Sequence, residues 1–379
     1  MIHSARTSWT RRIFIALLLL GGALAGGAEP EAKLPPQSGA VTVPHPNEIE
    51  RVFLSRPIHV DRLHLSMVGP MANQGFTLLE NGEPEIVWLT GYAIDVTAED
   101  RKTPASMDFV CHANLAFRGT PQTGPGRRLF TLTQGQTDVR LPPGFGIPMF
   151  SDDVMRWNSQ VLNLNQPNID RMIHHRLHVR FVRGQDLGDE PLTPLGQRVA
   201  NVFVTLEDTP SVLNVEHPEG HLAESSCLVG EAAPGAPPGM VDGMGRRFSG
   251  HWVVTPGRHE YRTLVTKRLA PPYDTTVHFI GIHVHPYSES LELKDLTTGK
   301  TVWTSFHRSF TRRIGVSWMD YYSSEEGLPF YKDHDYELIS VYDNPTNQNS
   351  DAMAQLMIYY HDKEFTPSGL KYEARRDGV

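Results

Sequence analysis

Apolar and polar residues alternate along much of this chain in short runs, the pattern of a strand with one buried face. In the first half the runs are Leu63–Met67, Glu85–Leu89, Phe109–Phe117, Leu177–Val182 and Asn201–Leu206. In the second half they are Gly250–Val254, His259–Val265, Thr275–His285, Ser290–Leu296, Tyr336–Tyr342 and Ala352–Tyr360. Clusters of Pro, Gly, Asn and Asp separate them, as turns between strands require. No stretch sustains the 3.6-residue period of an amphipathic helix. The pattern predicts an all-β protein with two antiparallel β-sandwich (jelly-roll-like) domains in tandem, over 46–210 and 249–365. A Gly- and Pro-rich connection over 211–248 joins them, and a polar tail covers 366–379.

The N-terminus breaks the pattern. Arg6, Arg11 and Arg12 precede the apolar run Ile13–Leu20, and small residues follow through Gly26, Gly27 and Ala28. This is the order of a signal peptide over 1–28, with cleavage near Ala25 or Ala28 and a linker over 29–45. The alternative, a membrane anchor, is disfavoured by the shortness of the run. Thr10-Arg11-Arg12-Ile13-Phe14-Ile15 resembles a twin-arginine signal. The expected location is the periplasm or the exterior, with no membrane span after cleavage. The formal net charge of −8 leaves no basic excess to neutralise phosphates, so nucleic acid is excluded as a partner. The two cysteines are Cys111 and Cys227, and export makes a disulfide chemically possible. Whether they meet is open.

Candidate chemistry is concentrated in Thr275–His285, where His283 and His285 flank a single valine. Residues two apart on a strand share a face, so the two imidazoles can converge on one metal ion. Imidazole suits copper, zinc, iron and nickel, and the pair alone does not choose among them. Met353 and Met357 offer a thioether, which favours copper, although methionine more often fills a core. His278 has the opposite parity and reads as structural.

These residues, taken in order, resemble the C-terminal half of the copper type II, ascorbate-dependent monooxygenases, the peptidylglycine α-hydroxylating and dopamine β-monooxygenase family. The series is Val254-Thr255-Pro256-Gly257, the His-x-His strand, Leu291-Glu292-Leu293 with Thr301-Val302-Trp303, Asp335–Ile339, Ser350–Met353, and Met357-Ile358-Tyr359-Tyr360. It spans roughly 249–362. The resemblance implies copper held by His283, His285 and Met353, with Met357 in reserve. The interval from Met353 to the tyrosine pair is one residue shorter than the family's, so Met353 needs a break or bulge beside it.

In the first half, Met107–Leu115 resembles the family strand that carries a His-His pair for a second copper, which here is Cys111-His112. The third histidine of that site would fall near 161–165, where only asparagines occur; His174, His175 and His178 lie nearby. The family's peptide-specific members use an Arg two residues before the His-x-His pair, and Gly281 stands there. A glycine-extended peptide is therefore not the expected substrate.

Three readings result. The first is a secreted copper monooxygenase that hydroxylates an unknown small-molecule or peptide substrate with O2 and an electron donor such as ascorbate, Glu289 orienting a ligand imidazole. The second is a non-catalytic copper-binding or structural β-sandwich protein. The third is a cupin-like metal enzyme in which Glu289 joins His283 and His285.

Overall fold

The computed structural model describes residues 44–66, 68–117, 127–188, 191–205, 240–241 and 246–365. The expected signal segment, nearly all of the linker, most of the connection (Cys227 included) and the tail lie outside these residues.

The described chain is almost entirely β. One ten-stranded sheet contains strands from both halves of the sequence. Its main path runs Ile49–Leu54, Arg171–Arg183, Ile86–Ala98, Phe145–Phe150, Thr193–Asn201, Ala354–His361, Thr275–Val284 and Tyr322–Phe330. Pairing is antiparallel along this path except where Thr193 and Pro194 run parallel to Phe145 and Gly146. A four-stranded sheet is formed by Met71–Phe76, Met155–Gln160, His112–Phe117 and Arg127–Thr133. A five-stranded sheet is formed by Gly257–Leu264, Tyr336–Asn344, Ser288–Asp295, Lys300–Ser309 and Val316–Met319. Helical structure is confined to short turns such as Thr266–Leu269. Among the described residues, no helix is long and apolar enough to cross a membrane.

Two apolar cores follow from this layering. The first packs residues such as Leu89, Phe130, Trp157 and Phe181; the second packs Trp252, Leu291, Phe330 and Tyr342. The strands Thr275–Val284 and Ala354–His361 serve both. Ile280, Ile282 and Val284 face the second core, while Phe279 on the opposite parity joins the first. A strand covered on both faces reads as a continuous apolar run, which explains the near-unbroken hydrophobicity around the His-x-His pair. The face that carries Phe279 also carries Gly281, His283 and His285, so the histidines point toward residues of the first half.

Two expected strands are corrected. Residues 63–66 form no strand, and Met67 lies outside the described residues: Leu63 and Leu65 are 44% and 54% exposed, and His64 makes an isolated bridge to Asn163. The strand expected over 201–206 instead runs Thr193–Asn201, with a short piece at Val204–Thr205. Because Thr193–Asn201 pairs with Ala354–His361, the sheet crosses the boundary expected between the two halves.

Candidate metal centre

His283 and His285 lie side by side, with ring centroids 5.3 Å apart, and both are buried. Each ring enters a different recess. His283 lines one too tight to admit a water molecule, together with His112, Arg128, Met353 and Gln355. His285 lines one of about 20 Å³, in part open to solvent, together with Ser66, Cys111, Gln134, Leu162 and Asp351. Cys111 and His112 are consecutive and therefore project to opposite sides, one into each recess. They do not form a common site.

Met353 is where the chain changes partners. Ser350–Ala352 pairs with Trp252–Val254, Ala354–His361 pairs with Thr275–Val284, and Met353 belongs to neither strand. This is a break of the kind the short interval to the tyrosine pair demanded, and it turns the Met353 side chain into the recess of His283. Met357 pairs with Gly281 and lies in the first core, away from that recess.

A histidine with no signal in the sequence reading completes the cluster. His251 precedes the strand Trp252–Val254, whose Val253 is opposite Asp351. His251 is thus a diagonal same-face neighbour of Asp351 across the ladder. Its ring centroid is 5.0 Å from that of His285. Ligand atoms of His251, His285 and Asp351 all lie within 4.8 Å of one another. The only available signal was a lone histidine between Gly250 and Trp252, about a hundred residues from its carboxylate partner.

Burial sets the charges. It pushes His112 and His251 down to about 3, and His283 well below the usual histidine value; neighbouring imidazoles act in the same direction on all three. These rings are neutral at pH 7 and offer lone pairs. Burial alone would raise the Asp351 carboxyl, but His285 and His251 beside it outweigh this and hold it below the usual carboxylate range. Neither ring nitrogen of His251 or His283 has a hydrogen-bond partner. Leaving one buried polar atom unpaired costs about 1–3 kcal/mol, so two such rings in one cluster stand out among the buried groups.

A buried tyrosine ties the site together. The Tyr342 hydroxyl accepts from the backbone N–H of His285 at 3.3 Å and donates to the carbonyl of Met353 at 2.6 Å. Tyr342→Phe removes both bonds while keeping the ring, and should cost about 1–3 kcal/mol in urea unfolding.

The other candidates are accounted for elsewhere. Glu289 forms a surface ion pair with Arg258 at 3.1 Å, and the carboxylate beside His285 is Asp351. His174 contacts the Ser55 carbonyl at 2.9 Å, His175 the Phe109 carbonyl at 3.1 Å, and His178 bridges Glu50 and Asp95. Asn163, expected near a third histidine, instead hydrogen-bonds backbone carbonyls of Arg62 and Gln166. His278 contacts the Ser324 carbonyl at 3.1 Å and stacks on Phe145.

No family model and no curated protein matches the chain. Among solved structures it is similar to the major capsid protein P2 from bacteriophage PM2, at 7% identity and a TM-score of 0.35, covering 84% of this chain and 100% of that one. It is also similar to the STIV MCP, at 10% identity and a TM-score of 0.26, covering 82% and 96%. Neither likeness carries an argument about what this chain does.

Proposed function

We propose that this chain is an exported copper-binding protein with a soft site at His283, Met353 and His112, next to His285. One observation carries the reading: His283 is 2% exposed, and its two unpartnered ring nitrogens adjoin a recess shared with a thioether and a second imidazole. Two imidazoles and a thioether are donors for a soft ion. Arg128 lines the same recess, and its positive charge penalises a divalent cation more than a monovalent one. The donor set and the charge together favour Cu(I). Relative to the set implied by the family resemblance, His112 takes the place of His285, which is engaged with Asp351 and Ser66. Export rests on the N-terminal sequence pattern.

Competition titration with a Cu(I) chelator should find about one tight equivalent, and His283→Ala should weaken it by at least about 100-fold. Equal affinity in the variant removes the reading.

A monooxygenase form of this proposal rests on the sequence resemblance, since the recess beside His285, about 20 Å³, has room only for a molecule the size of water or O2. Bound copper would supply redox chemistry with O2, and a donor such as ascorbate would supply electrons. The residues at the recess would orient the substrate and limit water. Ascorbate-dependent O2 uptake by the copper-loaded protein tests it, and copper at one equivalent with no uptake leaves a non-catalytic copper protein.

A further inference from the structure

The unassigned group is the trio His251, His285 and Asp351. Its geometry is unlike that of an ordinary ion pair. The Nδ1 atom of His285 lies 2.8 Å from Oδ2 of Asp351, yet the contact lacks hydrogen-bond alignment, and both atoms are without a hydrogen-bond partner. Two donor atoms that close, neither aimed at the other, is the arrangement of ligands converging on a third point. His251 adds two more unpartnered nitrogens from a ring that is fully buried. The other nitrogen of His285, Nε2, lies 3.3 Å from the Ser66 hydroxyl. With Nε2–H donating to that oxygen, the Nδ1 lone pair is left for an ion, and the ring is held from behind, as metal-ligating histidines usually are.

We propose that His251, His285 through Nδ1, and Asp351 form a second metal site, distinct from the copper site at His283, for a borderline divalent cation of the Zn²⁺ class. Two neutral imidazoles and one carboxylate are an N2O set suited to such an ion. The carboxylate also supplies the negative charge that the His283 recess lacks. In a tetrahedral site with bonds near 2.1 Å, neighbouring ligand atoms stand about 3.4 Å apart. The trio, within 4.8 Å, reaches that spacing when His251 closes slightly and the His285–Asp351 contact, at 2.8 Å, opens slightly. Three protein ligands leave a fourth position, and the recess lined by His285, Asp351, Ser66 and Cys111 adjoins it.

One competing assignment uses the same atoms. Asp351, His285 and Ser66 follow each other in the order of a hydrolytic triad. Such a triad needs a serine that a substrate can reach. Ser66 is only 5% exposed.

The test is Zn²⁺ titration of the full chain with metal analysis after desalting. The wild type should bind one equivalent. Asp351→Asn and His251→Gln should each lose at least about 100-fold in affinity while still binding Cu(I); His283→Ala should keep Zn²⁺ and lose Cu(I). This cross-over separates failure of the present inference from failure of the copper reading. Circular dichroism checks that each variant folds. X-ray absorption at the zinc edge of the wild type needs no variant: a nitrogen and oxygen shell with imidazole scattering supports the trio, and a sulfur ligand overturns it. No zinc binding by the wild type, unchanged Zn²⁺ affinity in Asp351→Asn, or labelling of Ser66 by a fluorophosphonate would each overturn the proposal.

Discussion

Tyr359→Ala should destabilise the protein by about 4 kcal/mol or more, a large share of the roughly 5–15 kcal/mol that holds a typical domain folded. Tyr359 is 1% exposed, on the strand that serves both cores. Its ring contacts Phe130 at 5.7 Å and Phe279 at 5.4 Å, so it locks the His-bearing strand against the first half. Its hydroxyl donates to the Leu129 carbonyl at 2.6 Å. Truncation to Ala leaves a cavity and an orphaned buried carbonyl together, and these costs add. Tyr359→Phe removes only the hydrogen bond and should cost about 1–2 kcal/mol. Phe306→Ala, at a ring 59% exposed, should change stability by no more than about 0.5 kcal/mol. Urea unfolding of the three variants checks the order, and a Tyr359→Ala protein as stable as wild type would show that the two halves do not depend on this contact.

Acid should unfold the metal-free protein well before ordinary carboxylates titrate. Burial holds His112, His251 and His307 at about 3 and His175 at about 4. In the unfolded chain these rings titrate near 6.5. Between roughly pH 6.5 and these lower values the unfolded state binds more protons than the native state, so stability falls as pH falls. The stabilisation is fully present above about pH 6.5 and is lost on descent through the folded values. Each ring contributes up to about 2 kcal/mol between pH 6.5 and 5, with less than additive sums where rings interact. The urea midpoint measured from pH 7.5 to 5 should therefore drop steeply below pH 6.5. A flat profile would mean that water or protons reach these rings in the native state.

Parts of this molecule were legible before its coordinates. Thr275–His285 announced a strand because apolar burial on both faces writes a long run, and its parity placed His283 and His285 together. The short interval after Met353 announced a break, and one is found there. Other parts were hidden for physical reasons. Thr193–Asn201 carries Pro194 and Gly196, residues that weaken a strand pattern, yet it is a central strand. A Cβ at Gly196 would stand 2.7 Å from the Tyr360 ring, so the glycine that weakens the pattern is what admits the aromatic neighbour. The stretch 63–66 alternates like a strand in the wrong phase, because what lies inside is the polar His285 recess, which receives Ser66 while Leu65 faces solvent. The pairing of His251 with Asp351 depends on a ladder closed across about a hundred residues, and local pattern cannot encode it.

The strand Ala354–His361 is the last in the described chain, and it occupies an interior place in the ten-stranded sheet, between Thr193–Asn201 and Thr275–Val284. A ribosome delivers this piece after the two strands it joins, so those neighbours wait with open hydrogen-bonding edges until it has been made. Asp351 and Met353 arrive on the same late segment. Neither of the two proposed sites can therefore be assembled before this segment has been made.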